Sequence, residues 1–307
     1  MPHPRLKSSL CTQAALKSPA FVEWVRRIDP GHVRPDGTPK MHRKLWEWCF
    51  IAEALGERGV LGPGRRGLGF AVGREPLPAL FASLGCEVLA TDMAPDSAVA
   101  QGWVGTDQHA GCADRLSKPY AFDPTAFAER VSYRAVDMTD LPAELRGYDF
   151  CWSACSFEHL GSLEQGTRFV ERAMDCLRPG GVAVHTTEFN LSSNTFTVAE
   201  GHDVIYRRRD IDDLAARLRS AGHAIEVDYD PGSGPLDHRI DPPPYRDEPH
   251  LKLLLYGYVV TSLGLIVVKD GCPVGRWRAT AGSAWRRAAS LPRRVIRRAV
   301  RLIGARP

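Results

Sequence analysis

The 307-residue sequence has no apolar run long enough to cross a bilayer, no Cys-x-x-Cys pair and no apolar signal-peptide core near its N-terminus. A spanning helix needs about 20 consecutive apolar residues, whereas the longest apolar stretch, 253–268, is interrupted by Gly257 and Gly264. Its β-branched residues favour a buried strand instead. The eight cysteines are irregularly spaced, which favours reduced thiols. These absences predict a cytoplasmic protein that is not secreted.

Acidic residues are absent from Pro273 onward, where ten arginines occur. Because the net charge of the whole chain is +4, the residues before this segment carry a net charge of −6. At helical spacing, the apolar residues of 283–307 fall on one face and the arginines on the other. We therefore predict that 273–307 is a basic amphipathic helix that binds an anionic surface at the inner face of the cytoplasmic membrane. Docking on the acidic body, a partner's groove and nonspecific nucleic-acid contact are the alternatives.

Helix and strand patterns alternate through the rest of the chain. Residues 1–60 are predicted to form a helical extension, with one helix directly after Ser18 and another over 40–59. Residues 61–272 are predicted to form the main domain. In it, a strand–turn–helix–strand unit at 65–92 is followed by strands at 131–137, 148–156, 182–188, 224–230 and 256–268 and by helices at 163–177 and 208–223.

This alternation predicts an α/β fold with a doubly wound, mainly parallel, seven-stranded sheet. The last strand, near 256–268, follows a proline-rich connection at 230–250 that contains no helix. We therefore expect it to be an antiparallel edge strand.

Three glycines, Gly67, Gly69 and Gly73, punctuate the first strand–turn–helix unit. In an open α/β sheet this turn lies at the carboxyl ends of the strands, where glycines allow positive φ and close approach of a ligand. Asp92 ends the next strand and could accept hydrogen bonds from ribose hydroxyls. This arrangement suits a nicotinamide dinucleotide, a flavin or S-adenosylmethionine. It also suits a tight turn that binds nothing.

Three further features narrow this choice. Asp137 ends the third strand and is followed by Met138, a pair that could bond an amino group and pack against a purine. The fourth strand ends in small residues from Ser153 to Ser156, which leave room for a ligand. A Leu-Arg-Pro-Gly-Gly turn at 177–181 precedes the fifth strand.

Taken in this order, the motifs make residues 64–270 resemble the class I, seven-stranded S-adenosylmethionine-dependent methyltransferases. The resemblance implies that the glycine loop wraps the methionine end of the cofactor, that the second-strand acid holds ribose and that the third-strand acid faces adenine. It assigns S-adenosylmethionine binding to Gly67, Gly69, Gly73, Asp92, Asp137, Met138 and Ser153. One departure is Ala71, where the family's commonest loop has glycine; alanine follows the turn if its φ stays negative.

An NAD(P)-dependent oxidoreductase is the alternative. A short-chain reductase usually has a tyrosine followed four residues later by lysine, and no tyrosine of this sequence has that neighbour. Asp-Pro-Pro-Pro-Tyr at 241–245 superficially resembles a motif of adenine-modifying methyltransferases. It has an extra proline and lies near the last strands, so we interpret it as a rigid loop.

A hydroxyl acceptor needs a base in addition to the activated methyl group. His159, in the segment after the fourth strand, is the predicted catalytic base; the alternative is that His159 or Glu158 bonds the loop or the cofactor backbone. Polar residues that could line the acceptor cleft, or belong to a solvated surface, are Trp103, Gln108, His109, Glu188 and Asn190. No His, Asp or Cys spacing repeats a known ligand set, so we predict no metal.

The motifs do not specify the acceptor. The polar insertions favour a glycan or another hydroxylated small molecule. The basic tail raises nucleic acid as the competing substrate class, but the acidic body and the lack of a basic groove with interleaved aromatic residues count against specific binding of nucleic acid. A cofactor-binding protein without catalysis is the third hypothesis.

Overall fold

The computed structural model describes residues 5–94, 109 and 111–270. The predicted basic helix at 273–307 lies outside the described residues, as does most of the loop at 102–110. None of the helices within the described ranges has the length and apolar content that crossing a bilayer requires.

Helices and strands largely follow the predicted pattern. The helices are α1 (Gln13–Leu16), α2 (Pro19–Ile28), α3 (Arg43–Gly56), α4 (Leu77–Ser83), α5 (Pro124–Arg130), α6 (Leu163–Ala173) and α7 (Arg208–Ser220). The strands are β1 (Ser9–Leu10), β2 (Arg66–Gly69), β3 (Glu87–Asp92), β4 (Val131–Ala135), β5 (Tyr148–Ala154), β6 (Leu177–Asn190), β7 (Ile240–Asp241), β8 (Lys252–Leu255) and β9 (Tyr258–Val268). The Ser18 hydroxyl accepts a hydrogen bond from the Phe21 amide at 3.4 Å, which caps α2 where the sequence predicts its start.

One mixed sheet forms the centre of the fold, with strand order β4-β3-β2-β5-β6-β9-β8-β7 and β1 paired to β9. Strands β4, β3, β2, β5 and β6 run parallel. Strand β9 runs antiparallel to β6, β8 and β1. The predicted α/β fold with a mainly parallel sheet is confirmed.

Two details of the predicted sheet are wrong. Strand β9 is not an edge strand, because β8 and β7 extend the sheet beyond it. The predicted strand at 224–230 does not form, and Ala224 and Val227 make only isolated bridges. Along the outer edge of β9, β8 pairs with the residues at 258–260 and β1 pairs with Leu263 and Gly264. Only Val268 then forms a bridge with Ala224. The sheet consequently has nine strands instead of seven.

The N-terminal helices pack directly on the sheet. A Cβ atom at Gly264 of β9 would lie 2.2 Å from the Phe50 ring of α3, so the close approach of this helix requires glycine. Phe50 belongs to the same buried core as Phe150 and Trp152 of β5. Helices α6 and α7 cover the opposite face, where Phe169 is buried. This packing brings the first turn of α3 to the part of the sheet that carries the candidate site.

Candidate active site

The strand order reverses between β2 and β5, which are hydrogen-bonded neighbours. Ligands of open α/β sheets bind at such a switch point, beyond the carboxyl ends of the strands. Two of the three non-glycine residues with positive φ in the described ranges follow these two strands: Ala71 at +44° and Cys155 at +47°. Backbone conformations of this kind cost about 1–3 kcal/mol and concentrate at functional sites. The two loops therefore mark the candidate site.

The condition of a negative φ at Ala71 is not met, because Ala71 follows the turn with a φ of +44°. The turn after β2 curls back onto β3, where the Val72 amide donates to the Thr91 carbonyl at 3.0 Å. Gly73, with φ of +51°, continues the turn, and its amide donates to Asp92 Oδ2 at 3.1 Å. Left-handed backbone at residues 71 and 73 is what carries the chain through this tight turn.

Gly67 and Gly69 are explained by packing. A Cβ atom at Gly67 would lie 2.4 Å from the Phe150 ring, and one at Gly69 would lie 2.5 Å from Trp152 and Val72. Both glycines make room for the aromatic side chains of β5. Their contact with the cofactor stays a prediction.

Asp92 lies at the end of β3, as predicted, and is 7% exposed. In addition to the Gly73 amide, its carboxylate accepts the Met93 amide at 2.8 Å on Oδ1. Each carboxylate oxygen has more than one lone pair. Asp92 can thus hold the glycine turn and still accept hydrogen bonds from a ribose diol.

The other predicted cofactor residues lie in different surroundings. Asp137 is exposed and accepts hydrogen bonds from the amide and the hydroxyl of Thr139, both at 2.7 Å. Met138 is buried. Ser153 has no exposed surface, and its hydroxyl lies 2.8 Å from His185 Nδ1 in the interior. Cofactor contacts of these three residues stay predictions.

Two carboxyl groups and a thiol converge beside the β5 loop. The Sγ atom of Cys155 and carboxylate oxygens of Glu158 and Glu188 lie within 4.8 Å of one another, and we call these three residues the acceptor-side cluster. Thr187 donates to Glu158 Oε2 at 3.1 Å, whereas Glu158 Oε1 and Glu188 Oε2 are buried without a hydrogen-bond partner. Buried polar atoms in folded proteins are normally paired. These two oxygens are therefore placed to accept hydrogen bonds from a bound ligand.

Burial also changes the ionisation of this cluster. Glu158 has no exposed surface, and burial raises its pKa to about 7. The adjacent Glu188 carboxylate disfavours ionisation of Glu158 further, while His159 favours it. A carboxyl group with a pKa near neutrality can take or give a proton at physiological pH.

Helix α3 supplies the positive charges next to this cluster. Arg43 Nη2 lies 2.5 Å from Glu188 Oε1, and Lys44 Nζ lies 2.6 Å from Glu47 Oε2. Glu47 is fully buried and also accepts the Ser262 hydroxyl at 2.6 Å. Although burial opposes it, Lys44 and Arg43 lower the pKa of Glu47 to about 2.

Sequence reasoning missed Glu75, which follows the glycine turn. It is 7% exposed, and Trp152 Nε1 donates to its Oε1 at 2.6 Å. Burial raises the pKa of Glu75 to about 8. Its neighbours in sequence are polar or proline, so the local pattern gives no sign of this burial.

His159 lies in a short helical turn, Phe157–His159, directly beside the acceptor-side cluster. Its Nδ1 lies 2.9 Å from Asp203 Oδ1. Burial opposes protonation, but Asp203 and Glu158 together raise the pKa of His159 above its ordinary value.

The other residues predicted to line the acceptor cleft lie in different places. Trp103 and Gln108 lie outside the described residues. His109 is buried, with Nε2 2.6 Å from the Met93 carbonyl. Glu188 belongs to the acceptor-side cluster, whereas the amide of Asn190 bonds the loop at 192–197.

Two groups of side chains in the described ranges bring potential metal ligands within 4.8 Å of each other. In the acceptor-side cluster, Arg43 already contacts Glu188, and burial raises the pKa of the Cys155 thiol. In the other group, Nδ1 of both His159 and His202 lies 2.9 Å from Asp203 Oδ1, the spacing of N–H···O hydrogen bonds. We interpret the first group as two buried carboxyl groups and a thiol beside the Arg43–Glu188 ion pair, and the second as a hydrogen-bonded group. The absence of a metal stays a prediction.

Residues 68–185 match the family model described as a methyltransferase domain. The match begins in β2, ends in β6 and includes the glycine turn, Asp92 and His159. The chain contains a class I S-adenosylmethionine-dependent methyltransferase domain. It is a methyltransferase, and S-adenosylmethionine is its cofactor.

No curated protein sequence matches this methyltransferase. Similar solved structures include the cyclase SpnF, at 17% identity over 73% of this chain and 81% of that chain, with a TM-score of 0.45. Another is an S-adenosylmethionine-dependent methyltransferase from Mesorhizobium loti, at 15% identity over 71% and 98%, with a TM-score of 0.40. A third is an O-methyltransferase family protein from Burkholderia thailandensis, at 12% identity over 75% and 60%, with a TM-score of 0.36.

The residues at the switch point fit this cofactor. The Asp92 carboxylate could accept hydrogen bonds from ribose hydroxyls, and the left-handed backbone of Ala71 and Gly73 curls the turn after β2 back beside it. On the other side of the switch point lie the carboxyl groups of Glu158 and Glu188.

Proposed function

We propose that this methyltransferase methylates a hydroxyl group of a glycan or another hydroxylated small molecule. The observation that supports this acceptor class is the pair of buried, unpartnered carboxylate oxygens, Glu158 Oε1 and Glu188 Oε2. Carboxylate oxygens accept hydrogen bonds, and an acceptor rich in hydroxyls supplies the donors that they lack. Adjacent hydroxyls of one molecule could satisfy both oxygens.

The proposed reaction needs positioning and a base. Bound S-adenosylmethionine supplies a methyl group that its sulfonium already activates. The acceptor-side cluster would orient the attacking hydroxyl, because holding the two reacting groups in the right geometry lowers the barrier. His159 would take the hydroxyl proton at Nε2, because its Nδ1 is directed at Asp203.

Glu158 is the second candidate for the base. Its Oε1 lies inside the acceptor-side cluster without a partner, and its pKa of about 7 suits proton transfer. His159 and Glu158 are adjacent in sequence, so a single acceptor could contact either one. Their substitutions separate the two roles, as described in the Discussion.

The basic segment at 273–307 supports a location for this reaction. We propose that it attaches the enzyme to an anionic membrane surface, facing the cytoplasm, where lipid-linked glycans would be accessible. The ten arginines and the helical spacing of the apolar residues support this proposal.

The experiment that tests the acceptor class uses S-adenosylmethionine with a deuterated methyl group. Purified enzyme is incubated with cell-wall glycans, nucleotide sugars, single-stranded DNA and RNA, and products are analysed by mass spectrometry. A trideuteromethyl ether on a glycan or small molecule supports the proposal. Labelling of nucleic acid alone, or of an amine in preference to every hydroxyl, would contradict it.

A further inference from the structure

Side chains from three separate segments form a hydrogen-bonded chain that ends on His159. The Tyr256 hydroxyl donates to Asp203 Oδ2 at 2.5 Å, and Asp203 Oδ1 lies 2.9 Å from His159 Nδ1. His159 follows β5, Asp203 lies in the loop between β6 and α7, and Tyr256 lies in the turn between β8 and β9. His202 Nδ1 also lies 2.9 Å from Asp203 Oδ1, so three side-chain donors surround this carboxylate.

Tyr256 has a backbone conformation that bulky residues rarely adopt. Its φ is +51°, and φ of the following Gly257 is +84°. These two residues connect β8 to β9, and a two-residue hairpin turn with positive φ at both positions favours Asn or Gly at the first. The tyrosine side chain gains little from burial, because the residue is 59% exposed. Its bond to Asp203 is the interaction that this strained conformation provides.

The charged and titratable groups that face His159 explain why Asp203 matters. Glu158 faces it from its own helical turn, and Asp203 and His202 face it from the loop before α7. His159 Nδ1 faces two acceptors, Asp203 Oδ1 at 2.9 Å and the His202 carbonyl oxygen at 3.2 Å, so the neutral imidazole keeps its proton on Nδ1 and its lone pair on Nε2. The hydrogen bond that it donates to Asp203 raises the pKa of the Tyr256 hydroxyl to about 12, so this hydroxyl keeps its proton and remains a donor.

We propose that Asp203 is a positioning residue for His159 and that Tyr256 holds Asp203 in place. This inference rests on the proposed role of His159 as the base. As the bond between the acceptor oxygen and the methyl carbon forms and the sulfur–methyl bond breaks, the bonding electron pair goes to sulfur. The hydroxyl proton goes to His159 Nε2, and the Asp203 carboxylate stabilises the resulting imidazolium.

Nuclear magnetic resonance tests whether Asp203 and Tyr256 control the pKa of His159, and this measurement needs no methyl acceptor. Full-length protein carries ¹³C at histidine Cε1, and the His159→Gln variant identifies the His159 signal. Asp203→Asn is expected to lower the pKa of His159 by about 1–2 units. Tyr256→Phe is expected to lower it by roughly half a unit, because Asp203 then loses one of the bonds that hold it beside His159.

The difference in size between the two shifts distinguishes positioning from general loosening. A loosened loop would lower the pKa of His159 by the same amount in both variants. The matched controls are Asp212→Asn and Tyr229→Phe, which break a surface hydrogen bond of the same kind at 2.8 Å and should leave His159 unchanged. An unchanged pKa of His159 in either variant, or shifts of equal size in both, overturns the proposal.

A second variant keeps the test independent of folding. Tyr256→Asn relieves the backbone strain, so its melting temperature should equal or exceed that of the wild type. Its kcat, on an acceptor from the mass-spectrometric panel, should fall about tenfold, with unchanged affinity for S-adenosylhomocysteine. Unchanged kcat would overturn the positioning role. If the wild type methylates no hydroxyl in that panel, the proposed function fails, while the resonance experiment still decides whether Tyr256 and Asp203 control His159.

Discussion

Arg43 Nη2 of α3 lies 2.5 Å from Glu188 Oε1 of β6, with side-chain exposures of 15% and 8%. This contact joins the N-terminal helices to the acceptor-side cluster. Both Arg43 and Glu188 lie outside residues 68–185, the region matched by the methyltransferase family model, so the candidate site extends beyond that region.

The first prediction follows from this ion pair. Removal of one partner of a largely buried pair leaves the other charge uncompensated, at a cost of about 3 kcal/mol. Arg43→Met should therefore lower the free energy of unfolding by about this amount in urea denaturation. The double variant Arg43→Met/Glu188→Leu should recover more than half of the loss.

The exposed pair Arg134–Glu144, at 2.6 Å, provides the control. Arg134→Met should change the free energy of unfolding by less than about 1 kcal/mol. Equal losses in the two single variants would show that burial of the Arg43–Glu188 pair has no special effect.

The second prediction concerns cofactor binding by Asp92. Loss of hydrogen bonds to a charged group costs about 1.5–3 kcal/mol, so Asp92→Ala should weaken S-adenosylhomocysteine binding about tenfold to a hundredfold. Isothermal titration calorimetry measures this, with the surface variant Asp212→Ala as control. Wild-type affinity in Asp92→Ala would remove this residue from the cofactor site.

The third prediction separates the two candidate bases. If His159 is the base, His159→Ala should lower turnover by about 10²–10⁴ while cofactor affinity stays nearly constant. Glu158→Gln should then have the smaller effect. The reverse order of the two effects would assign the proton transfer to Glu158, and equal losses of binding and turnover would make His159 structural.

The fourth prediction is a pH dependence caused by Glu75. Burial raises the pKa of Glu75 from about 4.5 to about 8, so the protonated form favours the folded state. The resulting stability is fully present below pH 4.5 and is lost as the pH rises through 8. When the pH rises from 5 to 8.5, the free energy of unfolding of Glu75→Gln should fall by about 2–4 kcal/mol less than that of the wild type.

Urea denaturation at the two pH values checks this difference. The amide side chain of the Glu75→Gln variant keeps an oxygen that can accept the Trp152 bond, and the exposed Glu87→Gln is the matched control. Parallel pH profiles for Glu75→Gln and the wild type would show that Glu75 ionises as freely in the folded state as in the unfolded one.

The fifth prediction concerns the segment at 273–307. Full-length protein should float with anionic liposomes at low salt, and added salt should weaken the binding. Truncation after Val274 should abolish flotation and leave S-adenosylhomocysteine affinity unchanged. Equal behaviour of the two proteins beside anionic vesicles would exclude membrane attachment through this segment.

The sequence predicts those parts of the site that depend on local chain order. The glycine turn and Asp92 lie within one strand–turn–helix–strand unit, so their meeting across nineteen residues follows from the fold class alone. Glu75 and the charges of α3 could not be found this way. Their burial depends on Trp152 and Glu188, which reach them only through tertiary packing.

The sheet shows the same limit. A pattern of apolar residues predicts that 224–230 could be a strand, but it carries no information on whether a partner edge is free. Strand β1, only two residues long, occupies the edge of β9 beside it. A segment this short has no detectable periodicity in the sequence.

The pairing of β1 with β9 also governs how this protein can fold during translation. The Ile266 amide donates to the Ser8 hydroxyl at 2.9 Å across 258 positions of the chain. The segment that contains Ser8 has no partner until β9, about 250 positions later in the chain, has been synthesised. Contacts of such long sequence separation slow folding. On the ribosome, the nascent chain must therefore keep this edge of its sheet incomplete until β9 has been synthesised.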